Sequence, residues 1–345
     1  MKIIAQEYAQ QQSDLYGFRI VSGDYSAIIN DFPTYFKGFV RLADVEFVRF
    51  GQFDRSSGED AKFGVLISNL GKYNVSRPTF VRNCAFHHGL GVAIGVFSSS
   101  GMKIENNVIH RTVDYGIRLE GNSNEARNNL LGMNQWGSTF DEKEAQVDRT
   151  AWGAIDATHA DSAIIVDNYI AGSERSGLNY KGDVCAGDSL PGNLPHQISG
   201  NTIYGAGLGV VVESLWHYNT LNCIRISGFT IYKSQYFGVY YQGNPELVVE
   251  NNVLIGNKLG VYTIIHGPSP QSHIVTNKKL KTRDMLIIGS SAARSCENDI
   301  VPRNLSVLLK SSMFLVQDQV RKVEEVLFSL HLLSDQIWHQ KNLGN

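Results

Sequence analysis

Two carboxyl groups and one imidazole lie close together in the segment Gly153–Asp161, as Asp156, His159 and Asp161. Hydrolysis of a glycosidic bond uses two carboxyl groups about 5–9.5 Å apart, and a lyase uses a base such as histidine. In an extended strand, Asp156 and His159 would point to opposite faces, and His159 and Asp161 to the same face. These three are the candidate catalytic residues. The alternative is that they line a corner and its exposed loop.

Two histidines recur at matching places in the sequence. His87 and His110 each follow, by three residues, the first position of a repeated motif described below. We therefore expect them on one face of the protein, on neighbouring turns. A metal would need a third ligand, for which Asp114 is near in sequence, but we predict no metal site. The alternative is a histidine stack at a solvated corner.

Further side chains could line a common groove or could simply face solvent. The charged candidates each follow a glycine–aliphatic pair: Glu120, Lys181, Asp183 and Glu213. The aromatic candidates could stack on sugar rings or could cover the core: Trp136, Trp152, Trp216, Tyr218, Tyr240 and Tyr241. The candidate ligand-binding residues are His87, His110, Trp136, Trp152 and Glu213. No phosphate-binding loop, dinucleotide fingerprint or serine-nucleophile motif is present, and we expect no cofactor.

An internal repeat indicates the elements that must position these residues. A polar anchor, often asparagine, is followed two positions later by an aliphatic or aromatic residue, and seven to nine residues after the anchor by glycine and an aliphatic residue. The anchors are Cys84, Asn107, Asn129, Asn168, Asn201, Phe229 and Asn252. The steps of 23 and 22 residues, from Cys84 to Asn107 and from Asn107 to Asn129, match one turn of a parallel β-helix with three short strands. Longer steps indicate turns with inserted loops.

The motif favours an all-β, right-handed, single-stranded parallel β-helix. Aliphatic partners of the anchors, such as Ile203, would stack in an internal ladder, and the asparagines would stack through their amides. Glycine would permit a positive φ, or a tight corner without a Cβ clash. A β-sandwich would show turn signals every 8–12 residues rather than one motif near 22. A leucine-rich repeat would need its L-x-x-L-x-L pattern.

The two ends differ from the repeats. Residues 1–37 lack the motif but contain strand-like pieces that lead into a solenoid at 38–300. In residues 301–345 the apolar positions have helical, nearly heptad spacing, which predicts a helical tail: Val316, Val320, Val323, Leu327, Leu330 and Ile337. Such a tail could cap the last turn, bind a partner, or be unrelated to the solenoid.

Composition excludes several classes of protein. With 43% hydrophobic and 19% charged residues the chain is too apolar to be disordered. Its net charge of −2 argues against a general nucleic-acid binder. No apolar run reaches the roughly 18 residues that span a bilayer, and residues 1–30 lack a signal-peptide pattern. We therefore predict no membrane insertion by this chain itself.

The cysteines predict one disulfide bond. Cys185 and Cys223 lie in or beside inserted turns, where a link between loops is most needed, and turns two apart are separated by only about 10 Å. Cys84 occupies an anchor position and is expected to be a buried free thiol. Cys296 stays unassigned.

The motifs, in their order along the chain, resemble the β-helix region of the fibrocystin and fibrocystin-L family. The resemblance covers roughly residues 35–300 and rests on Arg82–Gly89 with Ala93–Phe97, Tyr115–Arg118 with Gly121 and Asn122, Ile226–Ile231, and Phe47–Gln52 with Asn69 onward. It implies a place in a very large, single-pass, cell-surface protein, related to proteins that bind and degrade hyaluronan. In that extracellular setting, Asn74 and Asn304 are glycosylation acceptors.

This resemblance and the residues together predict a non-catalytic extracellular recognition module that binds a glycan or a protein. One alternative is a polysaccharide hydrolase or lyase of the hyaluronan-degrading kind. Another is a rigid spacer in a large ectodomain. Close carboxylates on adjacent turns of a groove would favour the enzyme, and scattered carboxylates would favour binding.

Overall fold

The computed structural model describes residues 1–5, 17–52, 63–72, 74–135, 153–185, 196–214, 223–243, 245–265 and 280–289. The chain divides into two compact units, Met1–Arg294 and Ser295–Asn345. The second unit lies outside the described residues, and with it the predicted helical tail, Cys296 and Asn304. The candidates Trp136, Trp152, Trp216 and Tyr218 also fall outside the described ranges.

The described elements are short β-strands, most of which pair in parallel into long sheets. Sheet 1 contains β1 (Lys2–Ile4), β6 (Glu46–Val48), β9 (Ala85–His87), β12 (Val108–His110), β15 (Leu130–Gly132), β18 (Tyr169–Ala171), β22 (Asn201–Tyr204), β25 (Phe229–Tyr232), β28 (Val253–Ile255) and β31 (Leu286–Ile288). Sheet 2 contains β2 (Ile20–Gly23), β7 (Val65–Lys72), β10 (Ile94–Ser100), β13 (Ile117–Asn122), β16 (Gly153–Asp161), β19 (Ser176–Tyr180), β23 (Leu208–Ser214), β26 (Phe237–Gly243) and β29 (Leu259–Ile265).

The third side of the molecule consists of two smaller sheets. Sheet 3 contains β5 (Arg41–Ala43), β8 (Phe80–Arg82), β11 (Lys103–Glu105), β14 (Glu125–Arg127), β17 (Ile164–Val166) and β21 (Gln197–Ser199). Sheet 4 contains β24 (Cys223–Ser227), β27 (Glu246–Glu250) and β30 (Leu280–Arg283), with β20 (Asp183–Val184) antiparallel on its edge. A separate antiparallel hairpin is formed by β3 (Tyr25–Ile29) and β4 (Phe32–Phe36).

From β5 onward the chain visits the third side, then sheet 1, then sheet 2, and repeats this order. In sheets 1 and 2 each strand pairs in parallel with the strand one turn away. For example, β9 pairs with β12, which places His87 beside His110. Parallel connections of this kind are right-handed in almost all proteins. The fold is therefore the predicted all-β, right-handed parallel β-helix.

One internal ladder runs under sheet 1 along the length of the solenoid. Its members pair in register from turn to turn, and each is at most 1% exposed: Phe47, Phe86, Ile109, Leu131, Ile170, Ile203, Ile231 and Leu254. The ladder predicted from the anchors is confirmed. Because each turn buries its apolar face only against its neighbours, stability is a sum of contacts between adjacent turns.

A buried asparagine ladder runs beside it at the corner that precedes sheet 1. The Nδ2 of Asn107 donates to Oδ1 of Asn129 at 3.0 Å, Asn129 to Asn168 at 3.0 Å, and Asn168 to Asn201 at 3.0 Å. Each Oδ1 in this run also accepts a backbone N–H from the turn before, so these buried amides are satisfied. Phe229 interrupts the run, because it has no side-chain amide.

The glycines of the motif serve a different purpose from the residues that adopt a positive φ. A Cβ on Gly116 would lie 2.5 Å from Cδ2 of Leu131, and a Cβ on Gly177 would lie 2.5 Å from Cγ2 of Ile203. Neither glycine has a positive φ, so of the two roles expected for the motif glycines these two show the second, a tight corner without a Cβ clash. Positive φ occurs instead just before the anchors, for example 56° at Asn106 and 50° at Asn128, a conformation that asparagine tolerates.

Candidate functional site

The outer face of sheet 2 carries a charged cluster around Arg118. The guanidinium lies 2.6 Å from Glu120 and 3.6 Å from Asp156. It also lies over the rings of Phe97 and Tyr115, 5.3 and 5.4 Å from their centroids. Burial raises the pKa of the Asp156 carboxyl. Both carboxylates of this cluster are thus bound to one cation.

A β-bulge changes which of the candidate catalytic residues lie together. Arg118 pairs with Asp156 but Glu120 pairs with His159, so three steps on β16 match two steps on β13. The bulge turns Asp156 and His159 to the same outer face, and the expectation that they point oppositely is wrong. A bulge inserts one residue into one strand and so interrupts strict alternation.

The other charged candidates have different surroundings. Lys181 donates to Oδ1 of Asp161 at 3.0 Å. Asp183 is only 2% exposed and lies in β20, which pairs with β24, so the expectation that it lines a groove or faces solvent is wrong. The backbone of Glu213 belongs to β23, and its side chain lies outside the described features.

The histidine candidates lie at one end of the outer face of sheet 1. His87 and His110 are register partners on neighbouring turns. His87 contacts Glu46 through Nε2 at 2.9 Å and His88 through Nδ1 at 2.7 Å, so both of its ring nitrogens are engaged. Within the described ranges, no group of three or more His, Cys, Asp or Glu side chains is arranged to hold a metal ion.

The same outer face carries three tyrosines farther along, which we call the tyrosine platform: Tyr169, Tyr204 and Tyr232. Tyr204 and Tyr232 are register partners, and Tyr169 lies one turn before Tyr204. All three are partly exposed. Burial raises the pKa of Tyr169, and the neighbouring Tyr204 and Tyr232 raise it further.

The rings of the platform are packed differently from the other outward-facing aromatic residues. Among the described residues, no aromatic ring stacks on Tyr169, Tyr204 or Tyr232, and the ammonium of Lys233 lies 5.9 Å from the centroid of the Tyr204 ring. The aromatic residues on the outer face of sheet 2 differ, because Phe237 and Tyr262 stack on each other with centroids 4.5 Å apart. The candidate Tyr240 belongs to that stack, and Tyr241 is fully buried in the core.

The platform was missed in the sequence, although a signal was present. His87 and His110 stand three residues after their anchors, and so do Tyr204 and Tyr232 after Asn201 and Phe229. All of these positions face outward on sheet 1, because the anchor-plus-two residue faces the core and strand residues alternate.

A polar cluster is buried beside β20. It contains Tyr180, Asp183 and Arg225, whose Oη, Oδ1 and Nε atoms respectively are buried and have no hydrogen-bond partner among the residues that the structure describes. Burial raises the pKa of Asp183 to about 7, although Arg225 lowers it. His196 lies nearby with its ring against Tyr180, centroids 5.8 Å apart. Burial lowers the pKa of His196 to about 4, with Lys181 adding to the effect.

A disulfide bond joins Cys185 and Cys223, whose Cα atoms are 5.5 Å apart. It ties the residue directly after β20 to the first residue of β24, and the backbone N–H of Cys185 donates to the carbonyl of Cys223 at 3.4 Å. Cys84 is a free, buried thiol whose pKa is raised by burial.

Replacing Cys185 and Cys223 together by serine is expected to lower the free energy of unfolding by about 2–3 kcal/mol, because the bond closes a long loop in the unfolded chain. Urea denaturation of oxidised protein measures the change. The control is Cys84→Ser, which leaves the disulfide bond intact. Reductant is therefore expected to lower the stability of this control, as it does for the wild type, but not that of the double variant. Equal stability of wild type and double variant would contradict the prediction.

The predicted acceptor Asn74 is exposed, as is the following Val75, at 85%. Its Oδ1 accepts hydrogen bonds from the backbone N–H of Ser76 at 2.9 Å and from the Ser76 hydroxyl at 2.7 Å. The side-chain nitrogen that would carry a glycan takes part in neither bond.

We expect protein secreted from eukaryotic cells to carry a glycan at Asn74, because the acceptor segment is exposed on the surface. Treatment with an N-glycosidase should increase its electrophoretic mobility, and Ser76→Ala should abolish the Asn74 glycopeptide in mass spectrometry. An unmodified Asn74 peptide from secreted wild type would refute this assignment.

Comparison with known proteins agrees with this architecture. A family model described as a right-handed beta helix region matches residues 59–182. The chain is 30% identical to human fibrocystin-L over 299 residues, 29% identical to mouse fibrocystin-L over 313 residues, and 27% identical to dog fibrocystin over 279 residues. No solved structure matches the chain significantly.

These alignments cover 86%, 90% and 79% of this chain, but only 7%, 7% and 6% of the relatives. The chain thus corresponds to a small part of the much longer proteins that it resembles. In the part of the chain that the structure describes, there is no helix long and apolar enough to cross a membrane. By its repeats, its fold and its similarity over most of its length, this chain is a fibrocystin-like β-helix region.

Proposed function

We propose that this chain is a non-catalytic, extracellular recognition module that binds a glycan through the tyrosine platform. The observation that carries the proposal is the outward-facing set Tyr169, Tyr204 and Tyr232, which are partly exposed and on which no other aromatic ring stacks within the described ranges. An extracellular setting is supported by the similarity to fibrocystin-L and by the disulfide bond, because such bonds persist in oxidising compartments.

The chemistry of the platform suits sugar rings. A tyrosine offers an apolar ring face for the C–H groups of a sugar and a hydroxyl for its polar edge. Thr202 and Thr230 lie beside the platform. Thr202 pairs in register with Tyr169 on the preceding turn and with Thr230 on the following turn. Turns spaced about 4.8 Å apart repeat these groups along the solenoid, which suits a ligand with repeating units. Lys233, over Tyr204, adds a cation for acidic sugars.

The charged cluster on sheet 2 favours binding over hydrolysis. A glycosidase needs one protonated carboxyl and one carboxylate that both reach the substrate. Glu120 and Asp156 lie close together on adjacent turns, which by itself would favour an enzyme. Both carboxyl groups are occupied by the Arg118 guanidinium, however, and Asp156 is 3% exposed. Asp161 is paired with Lys181. We therefore interpret these residues as an ion-pair network that stabilises the outer face of sheet 2.

The double variant Tyr204→Ala and Tyr232→Ala is expected to bind its glycan about 5- to 140-fold more weakly than wild type, because two aromatic contacts of about 0.5–1.5 kcal/mol are lost. The test is a glycan array with the full chain, followed by titration of the best oligosaccharide. The matched control is Tyr35→Ala with Tyr236→Ala, which removes two exposed tyrosines elsewhere, 79% and 45% exposed.

Unchanged affinity in the platform variant would overturn the proposed site. Cleavage products in polysaccharide digests would favour the hydrolase or lyase alternative. Binding to proteins but to no glycan would instead make the module a protein receptor, and the absence of any ligand would favour a spacer.

A further inference from the structure

A small basic pocket lies between the end of β7, the segment that leads from β7 to β8, and the segment after β4. Its volume is ≈ 50 Å³, which accommodates a group of a few heavy atoms, by the volume that a buried water needs. Three cationic side chains, Lys37, Lys72 and Arg77, contribute to its lining together with Asn74. The pocket uses no residue of sheet 1 and is therefore distinct from the tyrosine platform.

The cations of the pocket are poorly neutralised by the protein. Lys37 lies 3.3 Å from Asp24, but it is 69% exposed and that contact is weak in water. Lys72 and Arg77 are exposed and have no carboxylate partner among the described residues. A local excess of positive charge in a chain with net charge −2 attracts an anion.

A second feature extends the positive charge beyond the pocket. Arg41 donates to the carbonyls of Pro78 at 3.2 Å and Ser76 at 3.5 Å, and so holds the loop that carries Arg77. Arg41 and Lys103 flank Phe80 in register on the outer face of sheet 3. The cations thus form a track several side chains long rather than a site for a single ion.

We propose that this basic pocket and track bind the oxyanion groups of a polyanionic glycan. The aromatic rings beside the track argue against nucleic acid, because base stacking needs open ring faces. Here the guanidinium of Arg82 lies 4.4 Å from the centroid of Phe80, and that of Arg41 lies 5.2 Å from the centroid of Phe39. The surface offers donors for sulfate or carboxylate groups, and arginine binds these groups in pairs of hydrogen bonds.

The acceptor Asn74 lies on the wall of the same pocket. A glycan attached there would occupy the space that an oxyanion needs. The two states therefore exclude each other, and glycosylation at Asn74 weakens polyanion binding.

The test uses unglycosylated full chain from bacteria and a fluorescent heparin oligosaccharide. We expect binding that weakens steeply with salt, because bound counterions are released. The variant Lys72→Gln with Arg77→Gln should lose at least tenfold in affinity. The matched control Arg111→Gln with Lys258→Gln removes the same charge at exposed positions outside the pocket, and should retain affinity within about twofold.

Parallel titrations identify the ligand chemistry. A non-sulfated uronate polymer binding as tightly as heparin would assign the pocket to carboxylates, and weaker binding would assign it to sulfates. Either result supports the proposal if the Lys72→Gln, Arg77→Gln double variant loses the binding. Equal losses in the matched control, no heparin binding by wild type, or tighter binding of single-stranded DNA or an acidic peptide would overturn it.

Protein secreted with a glycan at Asn74 supplies an independent readout. Ser76→Ala, secreted from the same cells, should bind heparin more tightly than the glycosylated wild type. The tyrosine platform variants should leave heparin binding at this pocket unchanged, so failure of the platform proposal and failure of this one remain distinguishable.

Discussion

Replacing Ile203 by aspartate is expected to lower the free energy of unfolding by about 5 kcal/mol and to prevent stable folding of the middle turns. Ile203 is fully buried and pairs in register with Ile170 and Ile231. A carboxylate there would lack a cation or a hydrogen-bond donor, and a buried, unpaired charge is among the most destabilising changes known. In a solenoid the damage also removes contacts with both neighbouring turns.

The matched control is Thr202→Asp, which introduces the same group one residue earlier. Thr202 faces outward on β22 and is partly exposed, so its replacement is expected to cost less than about 1 kcal/mol. Urea denaturation followed by circular dichroism measures both variants. An Ile203→Asp variant that unfolds like the wild type would contradict the stacking of this ladder.

Much of the fold could be predicted because the solenoid is governed by local rules. The anchors Asn107, Asn129, Asn168 and Asn201 recur once per turn, and their amides bond to one another in the structure. A residue's distance from its anchor fixes its strand and its face. That rule placed Ile203 in the core and His87 beside His110, and it would also have found Tyr204 and Tyr232.

The charged site could not be predicted because it depends on departures from the repeat. The bulge in β16 moves His159 to the face of Asp156, and the alternation of an ideal strand contains no sign of it. The antiparallel strand β20 buries Asp183, which reads in the sequence as part of a polar loop. Insertions follow their own contacts, so the period of the solenoid does not determine where their side chains lie.

His196 is a further position that the motif did not identify. Its Nδ1 accepts the backbone N–H of Ala163 at 3.0 Å, as Oδ1 of Asn124 accepts the N–H of Met102 at 3.0 Å. Both residues stand just before a strand of sheet 3, so His196 takes the place that asparagine holds at an equivalent corner. A histidine in this place remains neutral, because a protonated ring nitrogen cannot accept the bond.

Asp183 and His196 are expected to give opposite pH dependences of stability that mask each other in the wild type. Burial raises the pKa of Asp183 from 3.8 to about 7, so its favourable contribution is complete below pH 3.8 and is lost as pH rises through about 7. Burial lowers the pKa of His196 from 6.5 to about 4, so its contribution is complete above pH 6.5 and is lost as pH falls through about 4. Between pH 4 and 6.5 the two slopes have opposite sign.

Other ionisable side chains also act on Asp183 and His196. Arg225, on β24, favours the ionised form of Asp183, and Tyr180 lies beside the same carboxyl. Lys181 opposes protonation of His196, and Asp161 favours it. Desolvation by burial is the larger cause for both groups, so the two slopes survive these partners.

His196→Asn should reveal the slope of Asp183, because asparagine can still accept the Ala163 N–H but does not titrate. Relative to wild type, the stability of this variant should fall by about 3 kcal/mol from pH 4 to 6.5, at about 1.4 kcal/mol per pKa unit. Asp183→Asn should reveal the opposite slope, a relative rise of about 3 kcal/mol over the same range. Urea denaturation at half-unit pH steps measures both, with the exposed Asp284→Asn as the matched control. If the stabilities of the two variants changed with pH in the same direction, the masking would be contradicted. Only opposite slopes can cancel and leave the stability of the wild type independent of pH.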